Sequence, residues 1–185
     1  MKKLGFCVLL LAVTISLSAR PAEIILLRHA EKPPDARNAN LSARGEQRAK
    51  AIPSLLTNSF VLLSNGLPFS IFAARTTPHG HSRRAEETIA PTARELHLPV
   101  RTPFAAADYA RLAKELLTNK AYDGKTVVIC WVHDYIPQLA RALGVQHAPN
   151  WNGDMFDRVW IITYEGEHAL LQNLPQHLLP GDSSK

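Results

Sequence analysis

Two apolar runs in this chain end in a histidine, and a further basic residue opens a predicted helix. Glu23 to Leu27 leads straight into Arg28-His29, Thr126 to Val132 ends at His133, and Arg84 follows Ser82, a residue type suited to capping a helix N-terminus. In open α/β sheets ligands gather at the carboxyl edge of the strands, so the two histidines can converge there. A helix start adds backbone N–H donors and positive dipole. Together these residue types describe a pocket for a phosphate dianion. A transferring phosphoryl group spreads its charge over three equatorial oxygens, with nucleophile and leaving group in line. Guanidinium forks from Arg28 and Arg84 match such oxygens in bidentate fashion, and a protonated His133 supplies another donor. His29, its pKa lowered by the two arginines, keeps a free imidazole lone pair for attack on phosphorus. The product of that attack is a phosphohistidine that water hydrolyses.

The elements that must position these groups can be read from pattern. Continuous apolar runs of this length read as strands buried on both faces, which sets strands at Glu23 to Leu27, Ser70 to Ala74 and Thr126 to Val132. Ser42 reads as the N-cap of a helix to about Leu56, which Pro53 should kink or shorten. Ser82 should cap a helix to about Leu96 that is weakened in its middle by Pro91. Further helices are expected over Asp108 to Asn119 and over Ile136 to Leu143, the second stopped by Gly144. Strands at Arg158 to Tyr164 and about Ala169 to Gln172 flank a turn at Glu165-Gly166. Strands alternating with helices predict an α/β fold, a three-layer α/β/α sandwich with a mainly parallel central sheet.

Lys2 and Lys3 followed by an apolar run to Leu17 and by Ser18-Ala19 read as a secretory signal peptide over residues 1–19. The run is shorter than the roughly 20 residues of a membrane span. The expectation is therefore a periplasmic or secreted protein without a stable membrane anchor after cleavage. A single domain is expected over residues 20–180, because 46% hydrophobic and 20% charged residues is an ordinary globular balance. Residues 181–185 read as a disordered tail. Loss of two lysines with the leader lowers the formal charge from +5 to +3. That charge, without any basic run interleaved with aromatics, suits a local anionic ligand and not nucleic acid. Cys7 leaves with the leader and Cys130 sits in an apolar strand, so no internal disulfide is expected.

Leu26-Leu27-Arg28-His29-Ala30-Glu31 resembles the RHG/RHA signature of the histidine phosphatase (phosphoglycerate mutase-like) superfamily. Three more segments match in the expected order. Leu41 to Ala49 resembles the family's L-S-x-x-G-x-x-Q-A helix start, and Ser82-Arg83-Arg84-Ala85-Glu86-Glu87-Thr88 its S-x-x-R-A-x-Q-T segment. Anchoring the latter on Ala85 and Thr88 makes Arg84 the second phosphate arginine, with Arg83 the fallback. Val127 to His133, followed by Ile136-Pro137, resembles the strand that ends in the second catalytic histidine. The resemblance implies a metal-independent phosphoric monoester hydrolase with no cofactor, His29 as nucleophile, and Arg28, Arg84 and His133 on the phosphoryl group. It also implies a general acid. Asp134 resembles the His-Asp pair of the acid phosphatase branch and is the favoured donor. Asp108, in the interval where the mutase-like branch places its acid, is the runner-up.

The intervals between motifs leave no room for a large helical cap, so an open site is expected. Its substrate would be a phosphorylated small molecule or an envelope phosphosugar. The alternatives are a phosphohistidine protein phosphatase and a non-catalytic phosphate-binding module of the same fold. His79-Gly80-His81 is a short His-x-His pair without a further ligand at a diagnostic spacing, so it reads as a loop near the pocket and no metal is assigned. Glu31 is either support for the site or a loop charge, and Trp151, Trp160 and Phe156 read as packing residues.

Overall fold

The structure is a computed structural model that describes residues 20–35, 37–59, 62–77 and 82–183. In chain order it contains β1 (Glu23–Arg28), α1 (Ala43–Asn58), β2 (Pro68–Ala73), α2 (Arg84–Glu95), β3 (Val100–Arg101), α3 (Tyr109–Thr118), β4 (Thr126–Trp131), α4 (Ile136–Ala142), β5 (Arg158–Glu165) and β6 (His168–Pro175). Every residue of β1 and β4 is buried, as their unbroken apolar character requires. They pair in parallel, Leu27 opposite Cys130 and Arg28 opposite Trp131.

The sheet order is β3-β2-β4-β1-β5-β6. The first four strands are mutually parallel, and β5 and β6 join as an antiparallel hairpin. From β1 the chain crosses β4 to reach β2 and continues outward to β3, so right-handed crossovers put α1 and α2 on one face. The return to β4 places α3 on the other face, where α4 packs against it. The fold is therefore the expected α/β/α sandwich. Adjacent strands β1 and β4 send their following segments to opposite faces, which makes the crevice between them the topological switch point of the sheet.

Three local expectations are corrected. Neither proline ends its helix: α1 continues past Pro53 to Asn58 and α2 past Pro91 to Glu95. Pro53 is buried, and packing of the two helices against each other outweighs the local cost of a missing donor. Ser42 does cap α1, its Oγ accepting from the Gly45 N–H at 3.1 Å. Ser82 does not cap α2: the cap position is Arg83, and Ser82 Oγ instead accepts from Arg84. The tail is ordered through Ser183, because Asp182 reaches back to a buried arginine. The leader over residues 1–19, with Cys7, lies outside the described residues.

Leu26, Ile129, Trp131 and Trp160 belong to one continuous core, and Trp151 stacks near Trp160 with ring centroids 4.9 Å apart. Burial pushes the Cys130 thiol pKa far up, so it is an inert core group. At the start of α1 the helix backbone lies against the loop that follows β1, where a Cβ on Gly45 would come within 2.4 Å of the Glu31 carbonyl oxygen. Gly45→Ala is expected to cost about 1–3 kcal/mol in unfolding free energy by forcing this loop outward, measured by denaturant titration.

Candidate active site

Arg28 closes β1 with its side chain in the interior, 1% exposed. Its Nη1 donates to the carbonyls of Gly153 at 2.6 Å and Met155 at 2.9 Å, with Asn152 O at 3.4 Å. The Phe156 ring lies over the guanidinium, 3.8 Å from Cζ. Nε and Nη2 are buried and have no hydrogen-bond partner among the described residues. One edge of the fork is thus committed to the 152–155 turn, and the other is buried without a partner among the described residues. Burial lowers the Arg28 pKa to about 10, although the carboxylates of Asp134, Asp154 and Glu31 oppose it.

His29 continues the ladder by one bond, its N–H donating to Trp131 O at 3.0 Å. Its Nδ1 lies 2.8 Å from the Ala30 carbonyl. A carbonyl oxygen can only accept, so Nδ1 carries the proton and Nε2 keeps its lone pair. The ring is 4% exposed and tilted against Phe156, with centroids 6.1 Å apart. Burial, followed by the charges of Arg28 and Arg84, lowers the His29 pKa to about 4 against the partial opposition of the Ala30 bond. The neutral state expected from arginine charge alone therefore has burial as its first cause.

His133 follows β4 by two residues, beside His29 at the switch point. Its Nε2 is 3.3 Å from Asp134 Oδ1, and Nδ1 is buried without a partner among the described residues. Burial and the Arg28 charge lower its pKa against the pull of Asp134, which favours the neutral ring in the site without a bound anion. Gly153 leaves room for this ring, since a Cβ there would lie 3.3 Å from His133 Nε2.

Arg84 sits at the first position of α2, where its charge acts on both Arg28 and His29. Three of its five N–H donors are engaged: Nη2 donates to Asn38 O at 2.7 Å, Nε to Asn40 O at 3.1 Å, and Nη1 to Ser82 Oγ at 3.3 Å. Arg83, the fallback, is exposed and faces Glu87 at 3.9 Å. Of the two acids, Asp134 stands beside His133 with its side chain 66% exposed. Asp108 accepts from the Ala105 N–H at 3.1 Å and pairs with Arg111 at 3.6 Å. Its charge is not among those acting on His29, Arg28 or His133. The structure thus gathers Arg28, His29, His133 and Asp134, with Arg84 alongside, and leaves Asp108 to the α3 terminus. His79 and His81 lie outside the described residues.

Two groups at the site are not apparent from sequence. Phe156, expected to be a packing residue, packs on the two reactive-type side chains themselves. Asp154 acts electrostatically on both Arg28 and His133. Both belong to the irregular segment between α4 and β5, whose length is the available signal of a working loop. Glu31 pairs with Arg44 at 3.2 Å and with the buried Arg48 at 2.8 Å. Among the described residues no group of His, Cys, Asp and Glu could hold a metal ion.

No family model and no curated protein matches the chain. Solved structures do. The phosphoserine phosphatase of Entamoeba histolytica, a histidine-to-alanine mutant in complex with phosphoserine, aligns with a TM-score of 0.57 at 16% identity, over 85% of this chain and 99% of that one. The chain has the phosphoglycerate mutase-like fold. A mycobacterial glucosyl-3-phosphoglycerate phosphatase in complex with inorganic phosphate shares it at a TM-score of 0.52 and 18% identity, covering 82% of this chain and 95% of that chain. The protein histidine phosphatase SixA, complexed with tungstate, gives 0.52 at 11% identity, over 83% and 97%. At these identities the shared property is the fold alone.

The depressed His29 pKa makes the stability of the fold depend on pH. Between about pH 6.5 and pH 4 the unfolded chain binds a proton at residue 29 that the folded chain does not, so stability falls as the pH drops through this window. The contribution is on the order of 3 kcal/mol. Denaturant unfolding from pH 7 to pH 4 is expected to show a loss that is shallower in His29→Ala, with the His29 imidazole signal titrating near pH 4 in NMR.

Proposed function

We propose that the protein is a phosphatase that hydrolyses phosphomonoesters through a phosphohistidine on His29. One observation carries this reading: a neutral imidazole with its Nδ1 proton committed to Ala30 O stands next to a buried guanidinium edge with two unspent donors. A buried cation that withholds donors from the protein is costly unless an anion completes it. In the proposed sequence Nε2 attacks phosphorus, the bond to the leaving oxygen breaks, and that oxygen takes the proton of Asp134 in its carboxylic acid form. Water then attacks, the N–P bond breaks, and a proton of that water passes to the Asp134 carboxylate and restores the acid. A bound dianion would also favour the protonated form of His133, supplying the donor that the resting site lacks. No metal or organic cofactor enters these steps.

The occupants of similar structures, a phosphoserine and an inorganic phosphate, support the ligand class. The amino-terminal pattern supports export, and hence a phosphorylated small molecule or envelope phosphosugar met outside the cytosol. The exposure of Asp134 favours substrates whose leaving group needs little help, which keeps a phosphohistidine protein as the second reading.

The test is phosphoenzyme trapping with acid-free quenching, together with steady-state kinetics on aryl and alkyl phosphates. His29→Ala is expected to lose the acid-labile phosphoenzyme and to lower kcat by roughly 1,000-fold or more. Undiminished turnover in that variant would remove the reading, and phosphate binding without turnover in the wild type would leave an anion-binding module. Asp134→Asn should lose roughly 100-fold on alkyl phosphates and much less on aryl phosphates, whereas Asp108→Asn should lose little on either.

A further inference from the structure

Arg48, on α1, is 2% exposed and spends all five N–H donors. Nε and Nη2 hold Glu31, at 3.1 and 2.8 Å. The opposite edge holds Asp182, Nη2 to Oδ1 at 2.7 Å and Nη1 to Oδ2 at 2.9 Å, while Nη1 also reaches Gln176 Oε1 at 3.1 Å. Asp182 is as buried as its partner, its side chain 3% exposed, and its Oδ2 further accepts from the N–H groups of Leu178 and Leu179, each at 2.9 Å. Burial alone would raise its carboxyl pKa, but these hydrogen bonds hold it down at about 2. The carboxylate at the end of the chain is thus fully enclosed by charge and N–H donors.

The connections lead from this clamp to the site on two sides. Glu31 is two residues from His29, and its carbonyl is pinned by the Ser42 N–H at 2.9 Å and by the close approach of Gly45. On the other side the Ser183 N–H donates to Asp157 Oδ2 at 2.5 Å, and Gln176 binds Asp157 O at 2.7 Å and Arg158 O at 2.8 Å. Asp157 directly follows Phe156, the ring on Arg28 and His29, and ends the loop whose carbonyls hold Arg28. A groove of about 470 Å³ runs between these parts, walled by Glu31, Phe156 and Asp182.

We propose that Asp182 is a positioning residue: the C-terminal segment, clamped on Arg48, fixes both Glu31 behind His29 and the 152–157 loop over Arg28, so anion capture depends on the tail. The proposal rests on the reading of this site as a phosphate site. It needs no contact between Asp182 and the reacting groups. Loss of the carboxylate leaves Arg48 donors without an acceptor in a buried place, and the segment and loop move apart to let water reach them. Misplacement of a catalytic group by about 1 Å costs on the order of 100-fold in rate, so a small shift of the Phe156 loop is enough.

The experiment uses the full chain and its Asp182→Asn, Asp182→Glu and Ser183→Pro variants. The last removes the N–H and the hydroxyl by which Ser183 holds Asp157 and restricts the backbone at Asp182, while every side chain of the Arg48 clamp is kept. Calorimetric titration with inorganic phosphate, p-nitrophenyl phosphate kinetics and thermal melts are run well below each melting temperature. Asp182→Asn and Ser183→Pro are expected to raise the phosphate Kd and KM about tenfold and to lower kcat in folded protein, with Asp182→Glu recovering part of the loss. A purely structural role would lower the amplitude of activity and the melting temperature with Kd, KM and the pH profile unchanged. That result, in both Asp182→Asn and Ser183→Pro, overturns the proposal. If the wild type binds phosphate without turning it over, the phosphatase reading falls, and the Kd comparison alone decides the role of the tail.

Discussion

The parallel pairing of β1 with β4 is the constraint from which the site follows. Register sets Arg28 opposite Trp131, and one more ladder bond, from the His29 N–H to Trp131 O, carries the order past the end of the strand. His29 and His133 therefore leave the sheet side by side although more than a hundred residues separate them. Because α1 departs to one face and α4 to the other, no helix fills the space between the two exits. A slip of one residue in this register would exchange the faces to which Leu27 and Arg28 point and break the ladder bond from His29 to Trp131.

Two buried arginines show how differently the fold treats the same charge. Arg48 is surrounded by carboxylates and spends every donor, and its hydrogen bonds to Asp182 and Glu31 overcome desolvation to raise its pKa. Arg28 receives carbonyl oxygens on one nitrogen and an aromatic face, and keeps one edge unsatisfied, so burial prevails and its pKa falls. The first is a completed ion cluster, the second an incomplete one. An incomplete, rigidly held cation is the arrangement that favours binding of an anion over stability of the empty protein.

The strands that carry the site were legible because each is a continuous apolar run ending abruptly in basic residues, a pattern few other arrangements produce. The Ser42 cap and the mainly parallel sheet followed from local chemistry. Pro53 and Pro91 misled, since local propensity argues for interruption and only packing between α1 and α2 reverses it. β3 is two residues long and has no periodicity to read. Phe156 and Asp154 lie on a loop whose position depends on hydrogen bonds to Arg28, an interaction between residues distant in sequence. Asp182 had the appearance of a solvated tail residue because its partner, Arg48, lies 134 positions away.

Burial first, and then the charge around the crevice, favours the neutral form of both histidines. Arg28 and Arg84 act on His29, and Arg28 and Lys32 act on His133 against Asp134 and Asp154. The lowered His29 pKa owes most to burial and next to Arg28 and Arg84. A protonated His29 would have no lone pair at Nε2, and a site that kept it protonated would repel nothing but also attack nothing. Burial beneath Phe156 thus does two things at once: it removes water from the guanidinium edge and keeps the imidazole in the form that can act as a nucleophile. Both effects depend on where one loop lies, and that loop is held at one end by Arg28 and at the other by Asp157.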